Sequence, residues 1–406
     1  MLRPGRFQSS MPRLRLARNA AAVGLLVALA LGPAGCTSAP EPRFERLPAH
    51  RTGVDFNNAI VEDDSLLNPL DFEYVYNGGG VAVGDVNGDG WPDLYFAGNV
   101  VDNRLYLNRG DFRFEDVTDA AGVAAEGTWS TGVAAVDVNQ DGLLDLYVCV
   151  GGPPELGHRR ANRLYVNQGA GEDGVPRFEE RAAAYGIADE GYSTHAAFFD
   201  YARDGDLDLY VLTTEMQHVN RNALRPRLTR GEAPNTDRLY RNNGDGTFTD
   251  VSDAAGIRIE GYGLGLAVSD VDQDGWPDVY VANDFLSNDL LYLNNRDGTF
   301  TNRIAAALKH QSYSAMGVDV ADFNNDARPD VVVLDMLPPD NYRQKLMSQF
   351  FNEETFRASL RLGYEPQYVR NTLQLNNGPG PEGVPVFSEI GQLAGVAATD
   401  WSWAPL

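Results

Sequence analysis

The chain has 406 residues with 33 Lys+Arg against 57 Asp+Glu, a formal net charge of −24. So acidic a balance excludes nucleic acid and anionic lipid as partners, because nothing in it would neutralise phosphates. Its 2 cysteines, Cys36 and Cys149, provide no disulfide framework.

In chain order, residues 1–35 read as a targeting segment. Arg3, Arg6, Arg13, Arg15 and Arg18 precede an apolar run from Ala20 to Leu31, too short for a permanent span but suited to a signal peptide. Ala34-Gly35-Cys36 resembles a bacterial lipoprotein cleavage box, which would make Cys36 the lipidated first residue; simple cleavage is the alternative. The expectation is an exported protein: an outer-membrane or cell-surface lipoprotein, or secreted or periplasmic if Cys36 carries no lipid. The membrane is then met only through that anchor. Residues 36–42 form a short linker. Losing the five arginines leaves 28 basic against 57 acidic residues and a mature charge near −29. Cys149 sits alone in an apolar run and reads as small core filler.

From residue 43 onward the chain repeats itself. The clearest mark is a nonapeptide: DVNGDGWPD from Asp85, DVNQDGLLD from Asp137, DYARDGDLD from Asp200, DVDQDGWPD from Asp270 and DFNNDARPD from Asp322. Oxygen-bearing side chains stand at loop positions 1, 3, 5 and 9, with glycine at position 6. Calcium takes six to eight oxygen ligands at about 2.3–2.6 Å, and alternate residues of a tight loop can turn their oxygens to one point. The expected ligands are Asp85, Asn87, Asp89 and Asp93; Asp137, Asn139, Asp141 and Asp145; Asp200, Asp204 and Asp208; Asp270, Asp272, Asp274 and Asp278; and Asp322, Asn324, Asp326 and Asp330. That makes up to five calcium sites. Those at 200–208 and 322–330 rank as weaker, since Ala202 removes one ligand, Arg203 adds repulsion, and Ala327 replaces the glycine. A single copy would read equally well as a hairpin turn with solvated carboxylates; five in register ask for a cation. Position 12 is always apolar (Phe96, Val148, Val211, Val281, Val333), so these loops join strands, such as Val81–Val83 and Leu94–Phe96, and are not the helix-flanked calcium hand.

Around each loop the same order returns: a strand, the loop, a strand such as DLYFAG, an R-L-Y-x-N strand, then an F-x-x-x strand. Four short strands per repeat of 50 or more residues predict an all-β protein, a β-propeller of four-stranded blades over residues 43–406. Five full blades are expected. Arg43–Leu47 copies the fourth strand without a blade before it, and Trp401–Leu406 looks like the opening of a sixth repeat, which suggests a chain cut short. Two insertions interrupt the regularity. Residues 214–236 carry Arg221, Arg225, Arg227 and Arg230. Residues 341–363 read as one amphipathic helix with Leu346, Phe350, Phe351, Phe356 and Leu360 on a broad apolar face. Either they decorate the blades or they bind a partner.

The stretches YNGGGVAVGDVNGDGWPDLYF, NTLQLNNG and FSEIGQLAGVAATDWSWAPL resemble the FG-GAP or VCBS calcium-binding repeats of integrin α-subunits. More closely they resemble the cartilage-acidic-protein family, in which such repeats usually precede an ASPIC/UnbV domain. The resemblance implies a propeller of about seven blades, extracellular exposure, calcium loops on one rim, and adhesion or ligand binding. The partner, a protein or polysaccharide, stays unidentified. Two other classes are weighed against a cell-surface scaffold: a polysaccharide lyase or hydrolase at the propeller mouth, and a docking module for a secreted partner. No catalytic residue is assigned. His50, His158, His195, His218 and His310 are scattered, and no HExxH, GxSxG or phosphate-loop pattern occurs.

Overall fold

The computed structural model describes residues 44–153, 155, 159–215, 223–347 and 352–405. The signal segment, the linker with Cys36, and Arg43, His158, His218, Arg221, Phe350 and Phe351 lie outside the described residues. The chain divides into Met1–Pro48 and Ala49–Leu406, and every sheet lies in the second unit.

That unit is all-β in its framework: five four-stranded antiparallel sheets, each in simple strand order. Sheet 1 comprises Val81–Gly84, Asp93–Phe96, Arg104–Asn108 and Phe114–Asp116. Sheet 2 comprises Ser130–Val136, Asp145–Val150, Arg163–Ala170 and Pro176–Glu180. Sheet 3 comprises Ser193–Phe199, Asp208–Thr213, Arg238–Asn242 and Phe248–Asp250. Sheet 4 comprises Gly263–Ser269, Asp278–Asn283, Leu290–Asn294 and Phe300–Asn302. Sheet 5 comprises Gly317–Ala321, Asp330–Leu334, Thr372–Pro379 and Pro385–Glu389. First strands of consecutive sheets lie side by side, and the series does not close into a ring.

The second strands explain the packing. In sheet 2, Leu146 and Val148 face sheet 1 beside Tyr95, Leu105 and Leu107, while Tyr147 and Cys149 face sheet 3 beside Leu209 and Val211. Both faces are covered, so the strand is buried throughout and reads as a continuous apolar run. Cys149 is fully buried core, and burial pushes its thiol far above the ordinary range. The same interleaving joins sheets 3 and 4 through Tyr210, Leu212 and Val281, and sheets 4 and 5 through Tyr280, Val331 and Phe387.

In sheets 1 to 4 the hydroxyl of the second-strand tyrosine meets the polar residue just before the third strand. Asn103 donates to Tyr95 at 2.8 Å and Asn162 to Tyr147 at 2.9 Å. In sheets 3 and 4 that residue is an acid, and the direction reverses: Tyr210 donates to Asp237 at 2.8 Å and Tyr280 to Asp289 at 2.7 Å.

Both ends of the described stretch continue the spacing of the sheets. After each fourth strand comes one helical turn, and its end abuts the fourth strand of the next sheet. A Cβ on Gly256 would stand 2.9 Å from the Phe300 carbonyl oxygen, and one on Gly53 2.3 Å from that of Phe114. The turn Ala49–Thr52 therefore occupies, before sheet 1, the place its counterparts occupy before later sheets. The fourth strand expected at 43–47 is not formed among the described residues, since none of 44–48 belongs to a strand. At the other end, Trp403 lies against Gly317 as Thr194 lies against Gly132, with carbonyl oxygens 2.3 and 2.5 Å from the added Cβ atoms. It takes the position of a next first strand.

The insertion at 341–363 is not one helix. It contains Asn341–Met347 and Glu353–Arg361, and Asn352 between them is extended, its side chain accepting from Thr355 N–H as an N-cap. Both insertions leave from the connection between second and third strands, the rim opposite the acidic loops. There they meet: Tyr364 donates to the Arg225 carbonyl at 2.9 Å, and the Arg227 guanidinium lies 5.5 Å from the Tyr364 ring centre. Arg225 is held in a two-pronged pair by Glu260 at 2.6 and 2.7 Å, so the basic cluster is partly spent inside the fold. On that rim Phe72, Tyr74 and Val75 pack against Trp129 and Tyr192.

Candidate cation-binding loops

All five nonapeptides connect a first strand to a second, which sets them on one rim in the same orientation. Their internal wiring is common. The carboxylate at position 1 accepts from the N–H groups of positions 5 and 6: Asp141 and Gly142 to Asp137 at 3.0 and 2.8 Å, Asp274 and Gly275 to Asp270 at 2.9 and 2.8 Å, Asp326 and Ala327 to Asp322 at 3.0 and 2.9 Å. Asp85 and Asp200 do likewise. Position 3 accepts from position 5 through Asn87, Asn139, Asp272 and Asn324; Ala202 cannot. Position 5 (Asp89, Asp141, Asp204, Asp274, Asp326) accepts from the N–H of position 7. The loop backbone thus holds one oxygen of each side chain at positions 1, 3 and 5 against its own N–H groups, Ala202 excepted.

Position 9 has a second task. One oxygen of Asp93, Asp145, Asp208, Asp278 or Asp330 accepts from the N–H of position 2, and the other from an asparagine N–H on the third strand. These acids are buried at the base of the loop. Burial raises Asp93 and Asp145 to about 6 and Asp208 and Asp278 to about 7, against the lowering effect of those N–H donors. Neighbouring carboxylates add to the rise. A cation there would favour the charged form that burial opposes.

The loop at 270–278 gathers its acids most closely. Oxygens of Asp270, Asp272 and Asp278 lie within 4.8 Å of one another, which matches two bonds of about 2.4 Å to a shared ion. Among the described residues this is the group of three acids brought to such spacing. The reason is the donor set, since position 3 is Asp here and Asn or Ala elsewhere. Asp274 is drawn instead to Arg296, 2.6 Å away. An all-oxygen set of this spacing fits a hard cation such as calcium. The two loops ranked weaker differ in kind. Ala327 adopts the same left-handed backbone as the glycines it replaces, at φ 66°. Arg203 does not turn into its loop: its guanidinium lies 5.5 Å from the Trp276 ring centre in the next loop.

Sequence reasoning missed three kinds of residue. One is Arg296; another is the side chain at position 4. The third is the asparagine closing the third strand, whose amide reaches back to position 2 of the preceding loop, as Asn167 does to the Val86 carbonyl at 2.8 Å. Its signal was present in the repeated R-L-Y-x-N. Of the histidines, His195 lies within a first strand, and burial holds its imidazole below the usual range. His310 meets Glu389 at 3.3 Å on sheet 5's outer side and joins no loop.

The match to a family of repeats agrees with the repeated sheets. The FG-GAP-like repeat family matches residues 74–148, 228–281 and 270–333. Cartilage acidic protein 1 from Homo sapiens is 28% identical over 211 residues, 51% of this chain and 28% of that protein. Its Mus musculus counterpart is 27% identical over 207 residues, 51% of this chain and 29% of that protein. The chain thus spans less than a third of the length of these relatives. Among solved structures, the V. cholerae biofilm matrix protein Bap1 is 14% identical with a TM-score of 0.32, over 65% of this chain and 35% of that one. A putative exo-beta-1,3-galactanase from Bifidobacterium bifidum s17 is 12% identical with a TM-score of 0.34, over 77% and 92%.

Proposed function

We propose, from the premise that this chain carries FG-GAP-like repeats, that it is an exported calcium-binding β-propeller serving as a ligand-binding or adhesion scaffold at the cell surface. The observation that carries the reading is the set of five acidic loops wired alike on one rim, with three carboxylates of the loop at 270–278 at ion-sharing distance. Bound calcium would join the base of each loop to its tip and relieve the mutual repulsion of the buried acids. The row of first strands would then be held rigid from one rim, leaving the opposite rim with its two joined insertions to meet a protein or polysaccharide partner. Export rests on the amino-terminal segment and anchoring on Cys36. Among the described residues no helix is long and apolar enough to cross a membrane.

The test is a calorimetric calcium titration of the mature chain, with melting in calcium and in chelator. Several saturable sites and a higher melting temperature in calcium are expected; each site held at 100 times its dissociation constant adds about 2.7 kcal/mol. A flat titration and identical melts would sink the cation reading and leave five plain turns.

A further inference from the structure

The fourth position of each acidic loop supplies no ligand to its own loop. Gly88, Gln140, Arg203, Gln273 and Asn325 all take a left-handed backbone, with φ of 75°, 60°, 54°, 61° and 61°. In three of them the side chain reaches the loop of the next sheet. Gln140 Nε2 donates to the Gly205 carbonyl at 2.9 Å, and Gln273 Nε2 donates to the Ala327 carbonyl at 2.5 Å. Gly205 and Ala327 are both sixth residues of their loops. Arg203 makes the same reach with other chemistry, lying over Trp276, and its guanidinium nitrogen would stand 3.3 Å from a Cβ on Gly275, again a sixth residue.

The two glutamine links land on one peptide group. A sixth-residue carbonyl and a seventh-residue N–H belong to the same planar unit. The N–H side of that unit holds the fifth-residue carboxylate: Asp206 N–H donates to Asp204 at 3.2 Å, and Arg328 N–H to Asp326 at 3.0 Å. In the Arg203 case the covered ring belongs to Trp276, whose N–H donates to Asp274 at 2.8 Å. A donor on the carbonyl polarises the peptide and strengthens its N–H as a donor. The side chain at position 4 thus orients a ligand-type carboxylate one sheet away.

We infer that the loops of sheets 2 to 5 form a coupled series, in which Gln140, Arg203 and Gln273 are positioning residues for the fifth-residue ligand of the next loop. The inference rests on the cation reading above. Filling one loop orders the backbone from which its fourth side chain projects, so the following loop receives a donor already in place and binds its ion more tightly. By linkage the effect runs equally in reverse. Gln140 and Gln273 belong to better-furnished loops and reach into the two that lack a ligand or a glycine, so the strong sites support the weak ones. Gly88 has no side chain to extend, so the loop at 85–93 stands outside the series.

The test titrates calcium calorimetrically into the full chain and into Gln140→Ala, Gln273→Ala and the double variant, with melting in chelator as a second readout. For the wild type, four sites should fill cooperatively and one independently. The double variant should keep only the coupling through Arg203 between the loops at 200–208 and 270–278, and its sites at 200–208 and 322–330 should weaken about fivefold. Melting in chelator should move far less than melting in calcium. Glutamines that merely brace the fold would lower both melts alike and leave the isotherm's shape unchanged, which overturns the coupling alone, as does a wild type with independent sites. A wild type that binds no calcium removes the cation reading, and the coupling with it.

Discussion

Asp272→Asn separates the cost of the empty loop from the benefit of the filled one. Asp272 shares its site with Asp270 and Asp278 at 4.8 Å or less, and burial together with Asp274 raises its carboxyl above the ordinary range. Two charges at that distance repel by about 3 kcal/mol at an effective dielectric near 20. Partial exposure and salt bring the sum felt by Asp272 down to about 1–2 kcal/mol. Asparagine has the same shape and keeps the acceptor that Asp274 N–H uses at 3.1 Å, as Asn87 and Asn139 do at 3.1 Å in their loops. Without metal, the variant should therefore be more stable than the wild type, melting higher by about 2 °C. With calcium it has lost a charged ligand, and a tenfold weaker site forfeits about 1.4 kcal/mol of ligand stabilisation. Scanning calorimetry in chelator and in millimolar calcium reads both effects. The expected result is a higher melt in chelator and a smaller rise on adding calcium. A lower melt in chelator, or an undiminished calcium rise, would refute the argument that these three acids face one ion.

Two further outcomes follow from the same geometry. Ala327→Gly should stabilise the chain by about 1 kcal/mol in urea denaturation, because φ 66° costs alanine more than the added freedom of glycine costs the unfolded chain; a loss would show that the loop relaxes elsewhere. Asp289 is fully buried and raised from 3.8 to about 7 by burial, while Asn283 N–H and Tyr280 pull it down. Its protonated form is favoured by folding, so its contribution is fully present below pH 3.8 and is lost as pH rises through about 7. Asp289→Asn, which copies Asn103 and Asn162, should flatten that decline and make the chain more stable than wild type at pH 8, with little difference at pH 4; equal slopes of stability against pH would refute it.

Much of the fold was legible because a propeller repeat writes its pattern locally. The D-L-Y-V run, the acidic nonapeptide and R-L-Y-x-N each recur, and each became the strand or loop expected of it. The amphipathic pattern of 341–363 misled because apolar spacing counts residues and does not register Asn352, whose side chain caps a new helix better than it continues an old one. The orphan strand at 43–47 misled for a different reason: a strand is made by its partner, and the repeat pattern alone cannot supply one.

The all-β class, the loop positions and the oxygen-rich donor set were legible because each is written within one nonapeptide or one strand, and the four-stranded unit because those pieces recur in the same order. Tertiary structure alone decided what happens between sheets. It showed the glutamine of one loop bonded to the peptide of the next, Arg203 turned away from its own loop, Arg296 set on Asp274, and the two insertions joined through Arg225 and Tyr364. Those partners stand from 22 to 139 residues apart, where spacing carries no information and only the stacking of sheets brings side chains together.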